Sequence, residues 1–158
     1  DFVITEAGFG ADCGGEKFLD FVCQTTKISP YVVLVVATIK ALKLHSENGE
    51  IEEGFKNLEK HILNLKNVFN KKVVVVFNKF KTDKKEEEEK VISLCQNLGV
   101  KCYVSSPFLQ GGESMKTLAD DLATLSLEKT KKQTYAYSFK ESLSTKIENI
   151  VTKDCLHK

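Results

Sequence analysis

The residues able to do chemistry in this chain gather in three short stretches, each rich in glycine, aromatic or paired polar side chains. The first runs Glu6-Ala7-Gly8-Phe9-Gly10-Ala11-Asp12-Cys13-Gly14-Gly15. Glycines between a strand and a helix let a phosphate or a flat ring approach the main chain closely. The spacing comes near the dinucleotide fingerprint, but the third glycine falls one residue late. Ala37 and Thr38 also stand where an acidic residue would follow the next strand. A dinucleotide site is therefore disfavoured. A structural tight turn stays open, and Phe9 between two glycines favours a ligand platform.

The second stretch, Asn78-Lys79-Phe80-Lys81-Thr82-Asp83, resembles the Asn-Lys-x-Asp run that reads guanine. Lys81 occupies the fourth position, so the carboxylate that would accept from the base is missing and the match fails at the specificity residue. The third is Ser105-Ser106-Pro107-Phe108-Leu109-Gln110-Gly111-Gly112-Glu113. A loop aromatic taken alone packs against its own loop more often than against a ligand. Three such loops on one sheet edge shift that balance, because two rings can sandwich a heteroaromatic ligand, each worth on the order of 1 kcal/mol beyond its area.

Other chemistries find less support. His45, His61 and His157 are scattered, and no histidine–carboxylate–nucleophile set follows from their spacing. His61 reads as a surface or flanking position of a helix. The cysteines, Cys13, Cys23, Cys95, Cys102 and Cys155, are odd in number and lack zinc-knuckle spacing, so they read as free thiols of a reducing compartment. No catalytic residue and no metal ligand is assigned. All 23 basic residues are lysine, so an anion must be held by lysine, by backbone N–H groups or by a partner segment, without arginine's bidentate fork. A formal net charge of +1 argues against nucleic acid or a membrane held mainly by electrostatics. The longest apolar run, residues 31–37, is too short to cross a bilayer, and no signal peptide is visible.

The elements that must position these stretches alternate between β-branched runs and amphipathic stretches of helical period. Strands are expected over residues 2–5, 31–37, 72–77 and 100–104. Helices are expected from the glycine-rich turn to about residue 26, and over 52–68, 86–98, 113–125 and 142–153. Residues 38–45 are ambiguous, 46–49 form a turn, 129–134 a polar linker, and 135–139 a short strand or packed coil. The acidic run 86–89 reads as the solvated first turn of a helix, favoured by the dipole. Uninterrupted apolar strands point to a parallel sheet, giving a three-layer α/β fold with helices on both faces. Ligands then gather beyond the strands' carboxyl ends, where all three stretches fall. Residues 1–128 form the α/β segment, and 129–158 a linker with a C-terminal helix leading to a further domain.

Several stretches together resemble the formate–tetrahydrofolate ligase (formyltetrahydrofolate synthetase) family. They are Thr5 through Asp12 followed by Glu16-Lys17-Phe18; Val36 through His45; Asn57-Leu58-Glu59-Lys60-His61-Ile62; Asn78 through Asp83; and Gly111-Gly112-Glu113. They occur in family order across nearly the whole chain, and the helix around residues 146–150 fits too. The resemblance implies a P-loop NTPase-like or Rossmann-like fold truncated on its N-terminal side. It also implies a reaction in which ATP phosphorylates formate and the amine of tetrahydrofolate attacks formyl phosphate, giving 10-formyltetrahydrofolate, ADP and phosphate. By position, Phe9 and Gly10 would hold the adenine portion of the nucleotide. Phe80, Phe108, Gly111 and Gly112 would hold the folate ring, with phenylalanine at 108 where the family usually has tryptophan.

The same resemblance implies ATP with Mg, formate and tetrahydrofolate as substrates of the full enzyme, and a monovalent cation as a further option. It implies a cytoplasmic location, with mitochondria the other option, a homo-oligomer, and the remainder of the enzyme as a partner. Two departures stand out: residues 46–49 replace a glycine-rich insertion, and Lys81 replaces a proline. No Gly-x-x-x-x-Gly-Lys-Ser/Thr run occurs in the chain, so an internal piece inert on its own is expected. The alternative is a non-catalytic remnant that binds pterin or partners.

Overall fold

The computed structural model describes residues 2–8, 10–129 and 131–154, with Leu109 and Asp154 placed by their backbone only. Three parallel strands form one sheet in the order β1 (Val32–Ala37), β2 (Lys72–Asn78), β3 (Lys101–Ser105). Val35 stands opposite Val75, and Val76 opposite Tyr103. Among the described residues the α-helices are α1 (Cys23–Thr26), α2 (Ile39–Leu44), α3 (Ile51–Asn67), α4 (Lys85–Asn97), α5 (Pro107–Gln110), α6 (Lys116–Ser126) and α7 (Leu143–Asn149). Wide π-type turns at Gly10–Gly15 and Lys17–Val22 lead into α1, so the chain is helical over residues 10–26.

Period-2 alternation of the strands divides the core between two faces. Val75 and Phe77 point to one face, where Phe55, Leu58 and Ile62 of α3 and Val91 and Cys95 of α4 cover them. The apolar stripe expected on α3 is that packing surface. Leu19, Cys23, Leu65 and Phe69 extend the same layer towards β1. Val74 and Val76 point the other way, onto Leu118 of α6. The three-layer α/β arrangement expected from the sequence is thus present. The second face is thinner: α6 packs over Val74 and Val76 of β2 and reaches Val32 and Leu34 of β1, while Val36 remains 67% exposed.

Several local readings change. Residues 2–5 form no strand, and Val3 and Ile4 are largely exposed. A strand needs a ladder partner for its N–H and C=O groups, and the β1–β2–β3 sheet gives this segment none. Residues 38–45 resolve as a helix because Thr38 Oγ1 accepts the N–H of Ala41 at 3.0 Å, an N-cap. α2 and α3 then meet at Gly54, where a Cβ would lie 1.8 Å from the carbonyl oxygen of Leu42. The helix expected from residue 113 begins with a 3₁₀ turn, Gly111–Met115, preceded by α5, which the pattern did not announce.

Residues 135–139 are coil packed on the first helix. The backbone N–H of Ala136 donates to Asp20 Oδ1 at 2.7 Å, Gln24 Nε2 donates to the carbonyl of Tyr137 at 3.1 Å, and the Phe21 and Phe139 rings lie 5.7 Å apart. The last helix begins at Leu143 behind a Ser142 cap and ends in a π-type turn, Ile150–Asp154.

Candidate functional site

β2 and β3 deliver their loops side by side because their pairing continues one step beyond the sheet. Lys79 N–H donates to the carbonyl of Ser105 at 2.8 Å. Past that anchor, residues 80–83 close on themselves. Phe80 N–H donates to Asp83 Oδ2 at 2.8 Å, and Asp83 N–H returns to the Phe80 carbonyl at 3.1 Å. This reciprocal closure leaves Phe80 48% exposed. In the neighbouring loop Pro107 starts α5, a favourable position for a residue without an N–H. Gln110 N–H bonds the carbonyl of Ser106 at 2.9 Å, and the Phe108 ring stands 92% exposed. Among the described residues neither Phe80 nor Phe108 joins an aromatic pair.

Gly111 takes φ +58°, and a Cβ on Gly111 or Gly112 would meet nothing within 4 Å. Ser114 fixes this corner, donating its hydroxyl to the Gly111 carbonyl at 3.0 Å. Two exposed aromatic residues and two open glycines therefore sit on adjacent loops at one end of the sheet, while Phe77, Ser105 and Ser106 beside them are buried. Two lysines near this end are held in ion pairs. Lys79 Nζ lies 2.5 Å from Glu88 Oε1, and Lys43 of α2 pairs with Glu87. Lys43's ammonium holds the Glu87 carboxyl below its ordinary range. The acidic run is thus only half solvated, since Glu86 and Glu89 are exposed while Glu88 is buried. Sequence pattern missed these pairs; their partners come from other elements.

The glycine-rich stretch is built differently. Gly10 has φ +77°, and the chain doubles back so tightly that a Cβ on Gly14 would lie 2.2 Å from the Gly8 carbonyl oxygen. The concavity of this loop is filled by its own backbone, as a structural turn requires. Phe9 lies outside the described residues. Asp12 faces α3, where its charge acts on His61. His61 is half-buried, and that burial pushes its pKa down despite the carboxylate. No contact ties Gly10 to the Phe80 and Phe108 loops among the hydrogen bonds described. Among the described residues no group of three His, Cys, Asp or Glu side chains is placed to hold a metal ion.

A sequence profile described as Formate--tetrahydrofolate ligase matches residues 1–155. The chain belongs to the formate–tetrahydrofolate ligase family. The formate–tetrahydrofolate ligase of Campylobacter concisus (strain 13826) is 39% identical over 160 aligned residues, which cover 95% of this chain and 29% of that protein. The chain thus spans about three-tenths of the length of that curated relative. Among the described residues no helix of this ligase-family chain is long and apolar enough to cross a membrane.

Proposed function

We propose that this chain supplies the folate-ring and nucleotide-base side of an ATP-dependent formate–tetrahydrofolate ligase. The observation that carries the reading is the pair of exposed rings, Phe80 and Phe108, on loops tied together by the Lys79–Ser105 hydrogen bond. An exposed apolar ring costs free energy in water and recovers it by stacking. Gly111 and Gly112 leave room beside them for a flat pterin. Phe9 and Gly10 are assigned to the adenine portion on family position alone. In the complete enzyme the γ-phosphoryl group of ATP passes to formate. The tetrahydrofolate amine then displaces phosphate from formyl phosphate, leaving 10-formyltetrahydrofolate, ADP and phosphate.

The 158 residues hold no Gly-x-x-x-x-Gly-Lys-Ser/Thr run to cradle the transferred phosphoryl group. The isolated chain should accordingly form no ADP from ATP, formate and tetrahydrofolate, and should act only with the remainder of a homo-oligomeric cytoplasmic or mitochondrial ligase. A second reading, a non-catalytic pterin- or partner-binding module, draws on the exposed apolar side chains of Phe2, Val3, Ile4 and Val36.

Titrating tetrahydrofolate into the chain while following ligand fluorescence tests the folate assignment. Phe80→Ala and Phe108→Ala should each weaken binding by about 1 kcal/mol, roughly fivefold. In the assembled enzyme, Phe80→Ala should raise the Michaelis constant for tetrahydrofolate far more than that for ATP. Unchanged folate affinity in both variants would falsify the assignment, and formate-dependent ADP release by the pure chain would overturn the expected inertness.

A further inference from the structure

The opposite, amino end of the sheet carries a feature that the ligase reading does not use. A cleft of ≈ 360 Å³ opens there, between the start of β2 and the segment that follows α6. Lys66, Lys71, Lys72, Lys129 and Lys131 line it, against one carboxylate, Glu128. That carboxylate is already paired with Lys72. Lys71 is the built part of the site. It is only 7% exposed, and its Nζ donates to Ser29 Oγ at 2.7 Å and to the carbonyl of Pro30 at 2.9 Å. Burial pushes the pKa of Lys71 down, and beyond these two bonds it interacts electrostatically with the buried Cys23 thiol.

A buried cation is costly unless an anion faces it, and no carboxylate bonds Lys71. Part of the compensation comes from the chain itself. Helices end at this side of a parallel sheet, and their carbonyl ends favour positive charge. Lys66 Nζ, for example, donates to the carbonyl of Leu98 at 2.8 Å. That account does not reach Lys129 and Lys131, which are exposed, lie beyond α6 and face the same cleft. With no arginine in the chain, lysine ammoniums are the point charges available to a phosphate.

We propose that this lysine-lined cleft binds a small phosphate-bearing polyanion, at the end of the sheet opposite the folate and nucleotide loops. The proposal is independent of the ligase reading. The probe is inorganic tripolyphosphate, titrated calorimetrically into the chain at low salt and again at about 0.15 M salt, where exposed charges more than ~8 Å apart are screened. Binding should persist at the higher salt and weaken at least about tenfold in Lys129→Gln/Lys131→Gln. Lys56→Gln/Lys140→Gln removes the same two charges from exposed positions outside the cleft and should leave affinity unchanged. An equal loss in both double variants would show attraction to net charge alone and end the proposal. Absence of tripolyphosphate binding at 0.15 M salt would end it too.

Discussion

The turn between α2 and α3 and the loops beyond β2 and β3 are built on opposite principles. In the turn, polar groups satisfy one another. Ser46 Oγ shares its hydrogen between Glu53 Oε2 at 2.6 Å and Asn48 Oδ1 at 2.8 Å, and it accepts the N–H of Glu50 at 2.9 Å. Glu53 also accepts the N–H of Glu47 at 3.1 Å. In the loops, the backbone is tied down by its own hydrogen bonds, but Phe80 and Phe108 are exposed and Gly111 and Gly112 leave open space. The difference separates a connection that is finished within the chain from one whose apolar surface lacks a partner. That contrast makes the second region the better candidate for a ligand.

The largest expected effect tests where stability ends and recognition begins. Phe77 is fully buried and Phe80, three residues on, is half exposed. Phe77→Ala should cost about 3–5 kcal/mol, the range for emptying a packed aromatic site. Phe80→Ala should cost less than about 0.5 kcal/mol in the fold, while still weakening folate. Urea denaturation of both variants measures the gap. Comparable losses would mean that the Phe80 ring is a core side chain and not a ligand platform.

Glycine provides a second and smaller contrast. A methyl group on Gly54 would collide with the Leu42 carbonyl at 1.8 Å, whereas one on Gly112 would enter open space. Gly54→Ala must push α2 off α3 and should cost about 1–3 kcal/mol. Gly112→Ala should leave the melting temperature within a degree or two, roughly the scale of a surface change, and should lower folate affinity if the pterin lies there. A Gly112→Ala variant with full folate affinity would remove that glycine from the site.

How much of this was legible depended on whether the deciding partner lay nearby in sequence. The valine run of β2 and the stripe Phe55, Leu58, Ile62, Leu65 on α3 announce their elements because burial repeats with the local period. Thr38 settles an ambiguous segment through a cap three residues long. Residues 2–5 have strand composition, but composition cannot supply the neighbouring ladder. Glu87 and Glu88 looked like solvent-facing acids because nothing in the run 86–89 reveals Lys43 or Lys79. Lys71 was equally silent: only the fold brings Ser29 and Pro30 to its ammonium and leaves it buried. The loop aromatics were readable as candidates from position. Their exposure, which distinguishes them from Phe77, was not.

The smallest effect concerns acid, and it should act on the turn rather than on the open loops. Glu53's carboxyl is held below its ordinary value of 4.5, first by the Ser46 hydroxyl and then by the N–H groups of residues 47 and 48. The unfolded chain therefore takes up this proton before the folded chain does. The contribution of the network is complete above about pH 4.5 and fades as pH falls through the lower, folded value. Glu53→Gln removes the titration. The stability difference between wild type and Glu53→Gln should be constant from neutrality down to the ordinary carboxyl range and should shrink below it. Because Glu53 is half-buried, added salt should reduce its long-range charge component but spare the short Ser46 hydrogen bond. Phe80 and Phe108 carry no titrating group, so their share of folate affinity should stay flat across the same window. A difference that grows on acidification would reverse the assigned sign and show that the turn is not held by an ionised Glu53.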